Sequence, residues 1–361
     1  VDNLLRLHLN CLRIHQVPCT PYMLDVCDEL GLMIIDETPV RGSERKEDFV
    51  AGRESMIACA RELARRDRRH PSVVLWSCAN EIWGEYGLAL ALQGAMHEAD
   101  DTRPVIVDGV PDLGPGVINM EHYVDGLGRP PVTGGTPRAD RPYGETECIW
   151  PSDNSWQGFA WMATCTRIRR WKGNADIRNY VLNNAWSNYV PGQSPKQQDL
   201  EKKIKDIDWP QVVSDDKINP AIRNPWSNPL IRLMQQCFAP VAACDKGFDI
   251  DNHRCDEKGN WPVVAPELQA GEPVTRCLVV FNDEFAGTQV EVKWQARAGR
   301  PGGKVHAAGE MVLSLPCGSC MERDIHFHAP DTPGDLFVTL QVVKDGRKRF
   351  EEDRMRFRVV R

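Results

Sequence analysis

The sequence predicts an α/β domain followed by an all-β one: a (β/α)8 TIM barrel lacking its first strand, then an immunoglobulin-like β-sandwich. Three observations predict it. Residues 1–192 alternate short apolar runs with helical patterns, and strand–helix alternation builds a parallel sheet. Residues 193–265 are irregular and broken by Pro195, Pro210, Pro220, Pro225 and Pro229, as a connector would be. From 266 to 361 the apolar period changes to two, the period of strands with one wet face.

Each element has a local reason. Residues 11–15 read as the end of a strand. Thr20 then caps a helix with Pro21 at its first position, Leu24, Cys27 and Leu30 keep one face, and Gly31 stops it. Residues 32–36 form a continuous apolar run ending in a carboxylate, which suits a parallel strand buried on both faces. A helix over 53–66 follows, with Met56, Ala60, Leu63 and Ala64 on one side. A strand begins at 72–75 and ends at Asn80-Glu81, and a helix covers 88–99. Further strands fall at 104–108, 117–122 and 142–147, then a helix at 155–171 and a last strand at 181–186. Seven such units fit a barrel short of one strand. A doubly wound sheet would want a glycine-rich phosphate turn after an early strand; Gly114-Pro115-Gly116 precedes one instead. In the tail, Val290, Val292 and Trp294 alternate with Glu291, Lys293 and Gln295. Leu336, Val338, Leu340 and Val342 repeat the pattern before an Asp345-Gly346 turn.

Composition narrows the function. A net charge of −7 argues against nucleic acid as the main partner, because phosphate binding needs a basic surface. No window approaches the roughly 20 apolar residues of a membrane helix. The chain opens at Val1 inside an apolar stretch, so an incomplete chain is expected, and the compartment stays open between secreted or periplasmic and cytoplasmic. Thirteen scattered cysteines do not suggest a disulfide framework. Cys317 and Cys320, with His326 and His328, are spaced as zinc ligands could be, but no matching second pair accompanies them in this β-rich tail. Ordinary hairpin residues are the simpler reading, and no metal is expected.

In barrel enzymes the reacting groups sit at the C-terminal ends of strands. Those ends carry Arg13 and His15, Asp36 and Glu37, Asn80 and Glu81, Asp108, His122 and Tyr123, Glu145 and Glu147, and Trp186. No lysine stands at any of them, so Schiff-base chemistry has no nucleophile. A carboxylate-rich, aromatic-lined rim suits glycosidic cleavage: one carboxyl protonates the departing oxygen while another attacks the anomeric carbon or activates water.

Several motifs occur together in order. Leu12-Arg13-Ile14-His15-Gln16-Val17-Pro18 and the segment from Asp25 to Glu37 resemble the second and third barrel strands of glycoside hydrolase family 2, which includes β-galactosidases, β-glucuronidases and β-mannosidases. The segment from Arg69-His70-Pro71-Ser72 to Asn80-Glu81 resembles its fourth. The resemblance implies a retaining, exo-acting β-glycosidase, β-galactosidase-like first, with Glu81 as general acid/base and Glu147 as nucleophile. Glu147 stands five residues after Pro142, as the family's nucleophile does; Glu145 is the rival. It implies sugar contacts from Asn80, a nucleophile partner in Tyr123 or its neighbour His122, a sugar platform in Trp186, and carboxylate support from Arg13. His15 is the second-strand histidine, one position early, with Gln16 where the family's stands. The magnesium-binding segment of some β-galactosidases is absent after Asp36-Glu37, so no cofactor is expected. The implied partner is a carbohydrate substrate, and a homo-oligomer is compatible. The alternative is a catalytically inactive carbohydrate-binding protein on a truncated barrel.

Overall fold

The computed structural model describes residues 1–42, 46–108, 117–122, 143–148, 164, 166–168, 170, 177–180, 235–252 and 265–361. The chain divides into two compact units, Val1–Trp150 with Asp176–Val181, and Pro151–Ala175 with Leu182–Arg361.

The first unit begins with helix α1 (Asp2–Arg6) and strand β1 (Cys11–Arg13). Helix α2 (Pro21–Leu30) starts where Thr20 accepts a hydrogen bond from the Met23 amide and stops at Gly31, whose φ of 79° no side-chain-bearing residue adopts cheaply. Strand β2 (Met33–Glu37), helix α3 (Lys46–Asp67), strand β3 (Val73–Ser77) and helix α4 (Tyr86–Ala99) follow. Strands β4 (Val105–Ile106), β5 (Val117–His122), β6 (Tyr143–Cys148) and β7 (Ile177–Tyr180) complete a sheet in strict sequence order, every pair parallel. β7 lies upstream of the expected 181–186. It is set by its pairing of Gly144 with Ile177 and Cys148 with Tyr180, and the run 181–186 lies outside the described residues.

Side-chain alternation splits the sheet into two faces. Ile34, Val73, Trp76 and Val105 join Leu24, Leu63, Leu88 and Leu92 in one buried cluster, the face covered by helices. Ile35, Leu75, Ile106 and Ile118 form a separate cluster on the other face. The sheet is strongly curled. Arg13 on β1 donates to the Thr146 carbonyl on β6 at 3.2 Å. Five strand spacings in a flat sheet would put about 24 Å between them.

The second unit carries strand β8 (Val241–Asp245), helix α5 (Lys246–Asp251) and strands β9 (Glu267–Gln269), β10 (Pro273–Asn282), β11 (Thr288–Ala298), β12 (Val305–Leu315), β13 (Ser319–His328), β14 (Gly334–Lys344) and β15 (Arg347–Val360). They form a three-stranded sheet, β13-β10-β8, and a five-stranded one, β12-β11-β14-β15-β9. One apolar cluster draws on both, from Ala242 and Val280 to Val292 and Leu340. The stretch expected as an irregular connector therefore contributes a sheet strand. All five residues of β8 are buried, so it lacks the wet–dry alternation by which the other strands are recognised.

The described cysteines are all free. Cys317 and Cys320 are exposed at the start of β13, and His326 is hydrogen-bonded to Thr275 Oγ1 at 3.0 Å. Among the described residues, the metal-ligating side chains that cluster are Asp25, Asp28 and His70 instead. There Asp28 is already engaged by His70 at 2.7 Å and the Ser72 amide at 2.8 Å, a tie between α2 and the entry to β3. Among the described residues no helix is long and apolar enough to cross a membrane.

Candidate active site

Strand parity selects which carboxylates face inward. On β2, Asp36 shares the helix-covered face of Ile34, and Glu37 shares the inner face of Ile35. Asp36 accepts a hydrogen bond from the Cys19 amide at 2.8 Å, away from the inner face. Burial and the neighbouring Asp67 carboxyl push it up to about 8. Glu37 lies just beyond the inner apolar layer, opposite Ser77 in register, and accepts from Ser77 Oγ at 2.6 Å and from the Gln16 amide at 2.6 Å.

Arg13, at the end of β1, is the hub. Its Nε donates to Glu37 Oε2 at 2.7 Å, and its Nη2 to Asn80 Oδ1 at 2.7 Å. Nη2 also lies 3.2 Å from Asp108 Oδ2, and Nη1 lies 3.4 Å from Glu147 Oε1. Asp108 accepts from Thr146 Oγ1 at 2.6 Å, which ties β4 to β6. One buried guanidinium thus faces three carboxylates from three strands. Burial works against its charge, but Asp108, Glu37 and Glu147 more than offset that and raise its pKa. Glu37 is itself raised, first by burial, with Arg13 pulling the other way. Exposure grows outward: Arg13 is 4% exposed, Glu147 13% and His15 50%, with His15 Nε2 at 3.2 Å from Glu147 Oε1.

Thr146 and Glu147 are adjacent, yet both reach this cluster. The β6 register shifts on both sides, between Glu121 and His122 against β5 and between Glu145 and Cys148 against β7. Such an irregularity re-aims side chains beside a site. Strict alternation of faces does not hold across it.

The end of β3 is held as tightly. Beyond Glu37 the chain keeps pace with β3: the Asn80 amide donates to the Val40 carbonyl at 2.9 Å, and the Gly42 amide to the Asn80 carbonyl at 2.7 Å. Gly42 passes so close that a Cβ there would overlap the Glu81 carbonyl. Glu81 sits at φ 53°, unfavourable for a residue with a side chain. Asn80 is buried, and because a guanidinium only donates, its contact with Arg13 fixes the amide orientation. The carbonyl faces Arg13, and the NH2 is left as the donor end.

Arg13, His15, Asn80 and Glu147 thus meet at one mouth, with Glu81 next in chain to Asn80. His122 closes β5, its side chain outside the described residues; Tyr123 and Trp186 lie wholly outside them. Strand-end reading puts Glu37 and Asp108 on the rim but gives them no part. The signal that would have done so is their parity with Ile35 and Ile106.

The model of "Glycosyl hydrolases family 2, TIM barrel domain" matches residues 2–127. Residues 2–127 are thus similar to the barrel domain of glycoside hydrolase family 2. The chain is 42% identical over 83 residues to a beta-glucuronidase of Mus musculus, covering 22% of this chain and 12% of that protein. It is 36% identical over 118 residues to the beta-galactosidase BgaC of Bifidobacterium adolescentis, covering 29% and 11%. The matched stretches thus span little more than a tenth of the length of either relative. The crystal structure of a beta-D-mannosidase from Dictyoglomus thermophilum superposes with a TM-score of 0.54 over 98% of this chain and 46% of that one, at 13% identity, a likeness of fold.

Proposed function

We propose that the chain carries the catalytic barrel of a retaining, exo-acting β-glycosidase, with β-galactosides the first substrates to test. In this reading the seven parallel strands are seven of the eight staves of a (β/α)8 barrel. The second unit is an immunoglobulin-like sandwich that begins at β8 rather than at residue 266. The observation that carries the function is the reach of Arg13. One guanidinium bonds Asn80, next in chain to Glu81, and touches Glu147 on β6, so the two carboxylate-bearing strand ends are held at one mouth.

Glu147 attacks the anomeric carbon as an anion, with the Arg13 cation and His15 against its Oε1. Glu81 protonates the leaving oxygen. Water deprotonated by Glu81 then releases the sugar from Glu147, with net retention. This geometry calls for carboxyl groups about 5–5.5 Å apart. The Asn80 NH2 donates to the hydroxyl next to the anomeric carbon. Tyr123, His122 and Trp186 complete the sugar site in this reading, as nucleophile partner and ring platform. No metal takes part in any step.

The test is proton NMR of product released from p-nitrophenyl β-galactoside, β-glucuronide, β-glucoside and β-mannoside. The β-anomer appearing first supports retention. The α-anomer first would make the enzyme inverting. Sugar binding without turnover would leave a carbohydrate-binding protein.

A further inference from the structure

Trp83 lies two residues beyond Glu81 and is 66% exposed, whereas Trp76 in the same unit is fully buried. Leaving an indole in water forgoes the burial that drives folding, so its position calls for a reason. Its backbone is not loose. The Trp83 amide donates to the Glu81 carbonyl at 2.9 Å, and the Glu85 amide to the Ile82 carbonyl at 3.1 Å. Ile82, between Glu81 and Trp83, is fully buried in the helix-side core. Gly84, at φ 80°, turns the chain into α4. Arg53 Nη2 on α3 donates to the Gly87 carbonyl at 2.8 Å and holds the start of that helix. Tyr86, three residues on from Trp83, is also exposed. Strand-to-helix turns lie on the face where strands end, so this aromatic pair sits at the mouth that carries Arg13 and Glu147.

We propose that Trp83 is a stacking platform for the leaving group of the substrate, an aromatic or pyranose ring on the far side of the scissile oxygen. The inference rests on reading Glu81 as the acid. The group that protonates the departing oxygen stands on the leaving-group side, and an exposed indole two residues away, on a backbone tied to Glu81 by a hydrogen bond, is placed to serve that side. Aromatic faces hold planar and pyranose rings without demanding a particular hydroxyl pattern. The structure therefore assigns this side a preference for ring-bearing aglycones rather than for one sugar.

The experiment compares two substrates with the same sugar: the p-nitrophenyl β-glycoside that the protein turns over best, and the matching β-glycosyl fluoride, whose leaving group has no ring. For Trp83→Ala the ratio of kcat/KM values, aryl over fluoride, is expected to fall about tenfold, chiefly through KM, with Trp83→Phe recovering most of it. Both substrates changing together, or neither, would overturn the proposal. Glu81→Ala reports separately on the acid, because it should lose the aryl substrate at least a hundredfold more than the fluoride. Equal loss there would remove the reading of Glu81 and with it the placement of Trp83 on the leaving-group side, whereas an unchanged Trp83 ratio beside an unequal Glu81 loss would overturn the Trp83 proposal alone. No turnover of any of the four aryl glycosides would remove the activity, and this inference with it.

Discussion

Both units bury an arginine among carboxylates, yet the two arrangements differ in what surrounds them. In the second unit, Arg167 grips Asp249 through two bonds of 2.8 and 2.6 Å and lies 3.1 Å from Glu352, and all three side chains are sealed from water. In the first, Arg13 has equally buried partners on its inner side but opens outward through Glu147 to His15. The sealed network joins a segment before residue 170 to α5 and β15, and its role is cohesion. The open one stands where parallel strands end, and its outer carboxylate can meet a solute. A buried ion pair does not mark a site. One that grades into solvent at the mouth of a parallel sheet is where the proposed site lies.

The largest effect expected on that contrast is catalytic. Glu147→Ala should lower kcat by on the order of 10⁴-fold while the thermal midpoint moves little. Steady-state rates and a melting curve on the same preparation check both halves.

Next come the two arginines themselves. Arg13→Ala and Arg167→Ala each leave buried carboxylates without their cation, at a cost of about 3–5 kcal/mol. Denaturant titration should show comparable losses. The activity of the molecules that remain folded should fall for Arg13→Ala and not for Arg167→Ala. Equal activity loss would erase the distinction between the networks.

A third test lies on the helix-covered side of β2. An unperturbed aspartate titrates at 3.8, whereas Asp36 in the fold is pushed up to about 8. Between those values the folded state holds a proton that the unfolded chain has released, so this group makes stability fall as pH rises from about 4 to about 8. Asp36→Asn should flatten that slope by up to a few kcal/mol in urea titrations at pH 5 and pH 8. An unchanged slope would mean that Asp36 is ionised in the fold.

The smallest effect is positional. Gly42→Ala puts a methyl group where the Glu81 carbonyl stands. The backbone at Glu81 must shift, and kcat should drop about tenfold, as misplaced catalytic groups do. Stability should fall by only about 1–3 kcal/mol.

Much of this is legible in the sequence because strand ends are legible. Apolar runs closing on Arg13, Glu37, Asn80 and Asp108 put those residues on the rim by pattern alone. The α2 caps at Thr20 and Gly31 are local chemistry and read directly. What stays hidden depends on distant partners. β8 is a short run with no alternation and becomes a strand only by pairing with β10. The choice between Asp36 and Glu37 needs the parity of the whole sheet. That Arg13 meets Thr146 needs the curl, and no local pattern encodes it.

The most direct test is covalent trapping. A 2-deoxy-2-fluoro glycosyl fluoride of the preferred sugar should label the protein with one sugar bound per chain and stop its turnover, and peptide mass spectrometry should locate that sugar on Glu147. A label on Glu145, or inactivation with no carboxylate ester on β6, would contradict the account.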